Sequence, residues 1–244
     1  MFADQSMVPD VFHFSFSREE GPVAVGFSCV AARDVPLDCL SPAEGLRYDA
    51  FLSPARREGF INGRLAAKKA LICLCDVGDL SDIEIYSGIM GQPLLRNARA
   101  HGFQLGISHT AHRAVAVAYP EAHPVAIDIE MFRPAAEKAI EKQLSLSERH
   151  LLDTLGLACG HTLFWSVRES LSKILKTGLM ASAGFYEIKD IQACGTDIFE
   201  LSFAHLFQYK AVCFVFDTYL VSICFPKKST GQDWASLRDF FGRG

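Results

Sequence analysis

Apolar residues recur with period two at both ends of this chain and with helical spacing in between. Near the start, VFHFSFS and VAVGFSCVAA read as strands over 11–31, parted by a turn at Arg18–Pro22. Ser53-Pro54 then opens a helix over 55–75, with Leu65, Leu71, Ile72 and Cys75 on its apolar side and Gly78 just past its end. IEIYS and QPLL are short strands, followed by a loop at 97–103. GISHTAHRAVAVAYP reads as a polar turn leading into a buried strand over Ala114–Tyr119, and VAIDIE is a further strand. Charged helical spacing covers 133–157, where Ser145 or Ser147 can cap Glu148–Leu155. A second long helix runs over 162–176 and stops at Gly178. YEIKDIQAC, IFELSF, AVCFVFDT and YLVSICFP are strands, and 227–244 reads as a loose helix or an unstructured tail.

The two halves share a plan. Arg64 and Lys68 stand at i, i+4 on the first long helix, and Glu169 and Lys173 stand at the same spacing on the second. Each helix is followed by strands that finish in an apolar run ending in proline, AVAVAYP and YLVSICFP. The pattern predicts a mixed α/β (α+β) fold built as a pseudo-twofold pair of subdomains, 1–122 and 123–230, with a tail at 231–244. Each subdomain would be a small, mostly antiparallel sheet packed with its long helix, and a ligand cleft would lie between them.

Composition narrows the class without choosing a function. Half of the 244 residues are apolar and 21% are charged, an ordinary globular balance. A net charge of −4 argues against a nucleic-acid partner, so an anionic ligand would need a local basic cluster. The start, MFADQSMVPDVFHF, has no basic leader or apolar run of export-signal length. The longest apolar stretch, Ala211–Phe225, is broken by Asp217 and is shorter than the roughly 20 residues of a membrane span. No membrane partner is expected. The eight cysteines are expected to be free thiols in a cytoplasmic protein; Cys73 and Cys75, two apart on a helix, diverge rather than pair on a metal.

Three features carry candidate chemistry. In Ile127-Asp128-Ile129-Glu130 the two acids project from one strand face while the isoleucines face the core. Such a pair repels itself unless a cation intervenes, and hard oxygens suit magnesium; an edge strand with a polar outer face is the plain alternative. Glu169 and Lys173 form either a helix ion pair or a third carboxylate with a phosphate-binding lysine. Ser108-His109 could donate to a phosphate, or simply solvate a turn.

Taken in order, INGRLAAKKAL, GQPLL, ISHT, VAIDIE, LSLSE and FWSVRESLSKILKTGL resemble the motif series of surfactin-synthase-type (Sfp-type) 4'-phosphopantetheinyl transferases. The resemblance spans about 56–179. It implies a magnesium-dependent enzyme that moves the 4'-phosphopantetheine arm of coenzyme A onto a serine of an acyl or peptidyl carrier protein. Adenosine 3',5'-bisphosphate would be released, and the carrier would serve fatty-acid, polyketide or nonribosomal-peptide synthesis. By position, Asp128, Glu130 and Glu169 would hold magnesium, and Glu169 and Lys173 would act in catalysis. Lys173, Ser108, His109, Arg64, Lys68 and Gln92 would contact coenzyme A. The acidic carrier would meet basic residues such as Arg133, Lys138 and Lys142, and one duplicated chain would form a complete site as a monomer. Ala126, Arg168 and Gln92 depart from the family's glycine and two lysines. Two other readings stay open: a coenzyme A-binding regulator with altered catalysis, and another magnesium-dependent phosphotransferase or hydrolase of a small phosphorylated molecule.

Overall fold

Strand β6 (Ala114–Pro120) shows how the layers are made. Val115, Val117 and Tyr119 enter one core, while Ala114, Ala116 and Ala118 enter another on the opposite face. The small alanines admit helix α2 (Pro54–Ile72), whose Ala66, Ala67 and Ala70 pack onto them. Strand β11 (Tyr219–Pro226) repeats the arrangement, sending Tyr219, Val221, Ile223 and Phe225 inward and Leu220 and Cys224 toward helix α5 (Gly160–Leu175). The order of layers is therefore helix, sheet, sheet, helix. Aromatic side chains from both sheets fill the middle.

This computed structural model describes residues 10–31 and 35–243. Residues 1–9 of the MFADQSMVPDVFHF stretch, and residues 32–34 and 244 of the expected subdomains and tail, lie outside that range. The first sheet has the order β12-β1-β2-β6-β5, with β1 (Val11–Ser17), β2 (Val23–Val30), β5 (Phe103–His109) and β12 (Thr230–Gly231). The second has the order β7-β11-β10-β9-β8, with β7 (Ala126–Met131), β8 (Ile188–Gly195), β9 (Ile198–Phe203) and β10 (Tyr209–Val215). A hairpin of β3 (Glu84–Ser87) and β4 (Pro93–Arg96) stands apart, and every pairing is antiparallel. The fold is thus mixed α/β, with six α-helices and three antiparallel sheets among the described residues.

The pseudo-twofold plan is visible in the register. β2 pairs with β6 and β7 pairs with β11, each partner strand being the second arm of a hairpin. Gly26 faces Ala118 as Ala126 faces Cys224, and Ser28 faces Ala116 as Asp128 faces Ser222. A Cβ on Gly26 would lie 2.2 Å from the Ala70 carbonyl oxygen, so only glycine lets α2 rest there. β5 runs beside β7, where a Cβ on Gly106 would come within 3.7 Å of Ala126 Cα.

One buried device occurs in both halves. Helix α1 (Pro42–Asp49) starts with a capping box of Ser41 and Glu44, and α4 (Leu146–Leu155) with one of Ser145 and Glu148. Glu44 also receives Lys68 Nζ from α2 at 2.5 Å and the Ile85 amide at 3.0 Å. Glu148 receives Arg168 Nη2 from α5 at 2.5 and 2.6 Å and the Ile188 amide at 2.9 Å. Lys68 therefore matches Arg168 and Lys69 matches Glu169, so the expected pairing of Arg64/Lys68 with Glu169/Lys173 is out of step by five residues.

Several expectations change. Gly106–His109 is strand rather than turn, because its backbone pairs fully with β6; the turn falls between Thr110 and Arg113. α1 went unread, although Ser41-Pro42 with Glu44 is its capping signal. The charged stretch 133–157 breaks into α3 (Pro134–Glu141) and α4. The expected tail forms α6 (Trp234–Gly242), which buries Leu237, Phe240 and Phe241 in the central core, while β12 joins the first sheet. All eight cysteines are free thiols, and among the described residues no helix is long and apolar enough to cross a membrane.

His123 sits in the β6–β7 connection at 1% exposure, its ring 5.0 Å from that of Phe16. Burial first, and then the Arg18 charge, hold its imidazole down at about 4, against the usual 6.5. The unfolded chain takes up that proton first, so the stabilisation is complete above pH 6.5 and drains away as pH falls to about 4. The loss should reach about 3 kcal/mol. Urea unfolding over this pH range should show a shallower acid slope for His123→Leu than for the parent; equal slopes would remove His123 as the cause.

Candidate active site

Asp128 lies on the α5 face of β7 and is 3% exposed. Its Oδ1 accepts from Ser108 Oγ of β5 at 2.8 Å and from Lys173 Nζ of α5 at 2.7 Å. Its Oδ2 accepts from Ser166 Oγ of α5 at 2.7 Å. Ser222, directly across the ladder on β11, donates to the Ser166 carbonyl oxygen at 2.9 Å. Lys173 Nζ also donates to the Ile127 carbonyl at 3.1 Å. A buried carboxylate is tolerable here because β5 and α5 supply three donors, one of which carries the opposite charge.

Glu130, two residues along the same face, accepts from Trp165 Nε1 at 3.3 Å. Burial and then the Asp128 charge push its carboxyl up to about 7. Glu169 is also raised, by burial and then by Asp128, with Lys173 opposing. Three acids thus feel one another with one lysine among them, and a hard divalent cation would relieve that repulsion. Oxygen donors alone on β7 and α5 fit magnesium. They are not a finished cage: among the described residues no trio of His, Cys, Asp or Glu stands ready as a metal site, and Lys173 holds Asp128.

A cavity of about 260 Å³ opens beside these residues. Glu169, Ser172, Lys173, Lys176 and Gly178 form one wall and the β3–β4 turn, with Gln92 and Pro93, forms another; Gly106, Ile107 and Ala126 also line it. The Gln92 carboxamide oxygen accepts from the Met90 amide at 3.0 Å, so its side chain folds onto its own turn.

The other expected ligands separate. Ser108 and His109 are neighbours on one strand and point to opposite faces: Ser108 reaches Asp128, whereas the His109 ring lies against Gly59 of α2. Arg64 keeps one tenth of its side chain exposed, with its guanidinium 4.6 Å above the Phe60 ring and Nε 3.3 Å from Glu44 Oε1. Burial lowers it to about 10, so it stays a cation at neutral pH. Lys68 does not join the site. It is fully buried, and its ammonium is spent on Glu44 and the Cys39 carbonyl. Arg133, Lys138 and Lys142 are exposed around α3.

Within this half the sequence also resembles known proteins. Residues 124–224 match the family model of the 4'-phosphopantetheinyl transferase superfamily. The match covers less than half of the chain and includes the acid pair, α5 and most of β11. It supports phosphopantetheine transfer as the general activity of a transferase. No curated protein matches the chain.

Ser166, Ser222 and Ser172 were not singled out from the sequence. Trp165, Ser166, Glu169, Ser172, Lys173 and Lys176 form a stripe at helical spacing, so the α5 members were legible as a face. Ser222 was not, because only the β7–β11 register sets it opposite Asp128.

The acids should differ in their effect on stability. Asp128→Asn removes a charge that Lys173 and two serines satisfy and should cost about 2 kcal/mol. Glu130→Gln and Glu169→Gln remove repulsion and should each stabilise the metal-free protein by about 1 kcal/mol. Thermal unfolding checks the signs; a common sign for all three would contradict this electrostatic picture.

Proposed function

We propose that the protein is a magnesium-dependent 4'-phosphopantetheinyl transferase of the Sfp type. Its substrates would be coenzyme A and the serine of an acyl or peptidyl carrier protein. The observation that carries this reading is Lys173, which bonds Asp128 of β7 and lines one cavity together with Glu169, while the Asp128 charge raises both Glu130 and Glu169. The family match over the same residues supports it.

In the proposed reaction the carrier serine oxygen bonds to the β-phosphorus of coenzyme A as the bond to adenosine 3',5'-bisphosphate breaks. Asp128, Glu130 and Glu169 would hold magnesium, whose charge would offset that of the pyrophosphate. Lys173, already at the cavity wall, would meet the transferred phosphate, and Glu169 would take the serine proton. Arg64 would offer its exposed edge to the adenosine 3'-phosphate, with His109 and Ser108 on the coenzyme's path and Gln92 at the turn. Lys68 is left out of this ligand set because it has no exposed surface. Exposed Arg133, Lys138 and Lys142 would face the acidic carrier. Division into subdomains 1–122 and 123–230 is proposed with the seam at β5 and β7, and the site complete in one chain.

Arg168 offers no support for a regulator that has lost catalysis. It is buried against Glu148 rather than turned into the cavity, so the change from lysine leaves the acid face intact.

Intact-mass measurement of apo carrier proteins, incubated with the protein, coenzyme A and magnesium, tests the reading. A mass gain of one phosphopantetheine is expected, and unmodified carriers across the three pathway classes would reject it. Glu169→Gln and Lys173→Ala should each slow transfer about 10²–10³-fold while the protein stays folded. Near-parental transfer by both would sink the assigned roles.

A further inference from the structure

Glu44 and Glu148 hold equivalent places, yet what lies beside each differs. In the first half Glu44 binds both Lys68 and Arg64, the latter one helical turn earlier on α2. In the second half the residue one turn before Arg168 is Phe164, so Glu148 has a single cation to hold. The residue after Lys68 is Lys69, paired with Asp10, whereas the residue after Arg168 is Glu169. The same lock therefore adjoins a partly exposed arginine in one half and a cavity-lining acid in the other.

Building on the transferase reading, we infer that the two locks are positioning devices with separate duties: Glu44 aims Arg64 at an anionic ligand, and Glu148–Arg168 sets the rotation of α5 that aims Glu169 at the acid cluster. Glu148 is tied at once to α4 through the Ser145 amide, to β8 through the Ile188 amide and to α5 through both Nη2 contacts. Arg168 Nη1 adds the Gln143 carbonyl at 3.4 Å. On the opposite face of α5, Ser166 and Lys173 grip Asp128. Consecutive residues on a helix project about 100° apart, so a helix clamped on two faces cannot turn without breaking one clamp. Glu169 sits between them. On α2, Arg64 is held by the Phe60 ring and by Glu44, with about one tenth of its side chain exposed. Neither glutamate lines the cavity, so both act through a neighbour.

The twin arrangement supplies its own control. Glu44→Gln weakens two ion pairs, with Lys68 and Arg64, and Glu148→Gln weakens one, so both should lower Tm, the former more. Their kinetics should split. Glu44→Gln should raise KM for coenzyme A about tenfold with kcat within twofold of the parent. Glu148→Gln should lower kcat about 10–100-fold with KM within twofold, the penalty for a catalytic group misplaced by a fraction of an ångström to an ångström. Arg168→Lys, which keeps charge and loses the two-point grip, should lower kcat severalfold and carries the test if Glu148→Gln does not fold. A fall in Tm with unchanged KM and kcat, or the same kinetic change from both locks, would overturn the inference. If the parent modifies no carrier, the transferase reading fails and ligand binding still decides the locks. Calorimetry with adenosine 3',5'-bisphosphate should then weaken only for Glu44→Gln, and titration with Mn²⁺ only for Glu148→Gln. Affinities that ignore the locks would count against them.

Discussion

A carboxylate inside a protein must be met by charge and by hydrogen bonds, and the arrangement around Asp128 follows from that requirement. Ser108 comes from β5 in the first sheet, while Ser166 and Lys173 come from α5 on the second. The contact with Ser108 therefore stitches the two sheets together at the place where the acids gather. Glu130 and Glu169 receive less compensation and are raised for it. Perturbed carboxyls of this kind cluster at functional sites.

The scaffold that permits this is buried on both faces. Its inner faces are aromatic and aliphatic in both halves, and the difference lies on the helix side of each sheet. At matching ladder positions the first half has Ser28 opposite Ala116, and the second has Asp128 opposite Ser222. Val30 stands where Glu130 stands in the other half. One architecture thus serves as support in the first half and as a polar site in the second. The first half contributes the β3–β4 turn and, from β5, Leu105, Gly106 and Ile107 to the cavity wall.

The departures from the family pattern acquire physical meaning in this setting. Ala126 sits at the seam beside Gly106, where a small side chain is needed and a methyl fits. Arg168 reaches both oxygens of Glu148 with Nη2 and the Gln143 carbonyl with Nη1, donors on two separate nitrogens that an ammonium does not have. Gln92 closes its own turn at the cavity mouth and removes a charge from that rim.

Local pattern was enough for most of the strands but not for β5 or β12, and for the two long helices, the shared acid face of Asp128 and Glu130, and the Glu169–Lys173 stripe, because each depends on the period of one element. The Ser145 cap was legible for the same reason, and α1 could have been read from its own box. Other features depend on residues distant in the chain. The motif resemblance made Lys68 a candidate ligand, yet Glu44, 24 residues earlier, holds it in the interior. Ser108 and His109 looked like one donor pair until strand pairing sent them to opposite faces. The last segment looked loose because its apolar residues have no partners nearby in sequence; the two sheets provide a core that takes in Phe240 and Phe241. Periodicity decides which way a side chain faces along its own element, and only the packing of elements decides what it meets there.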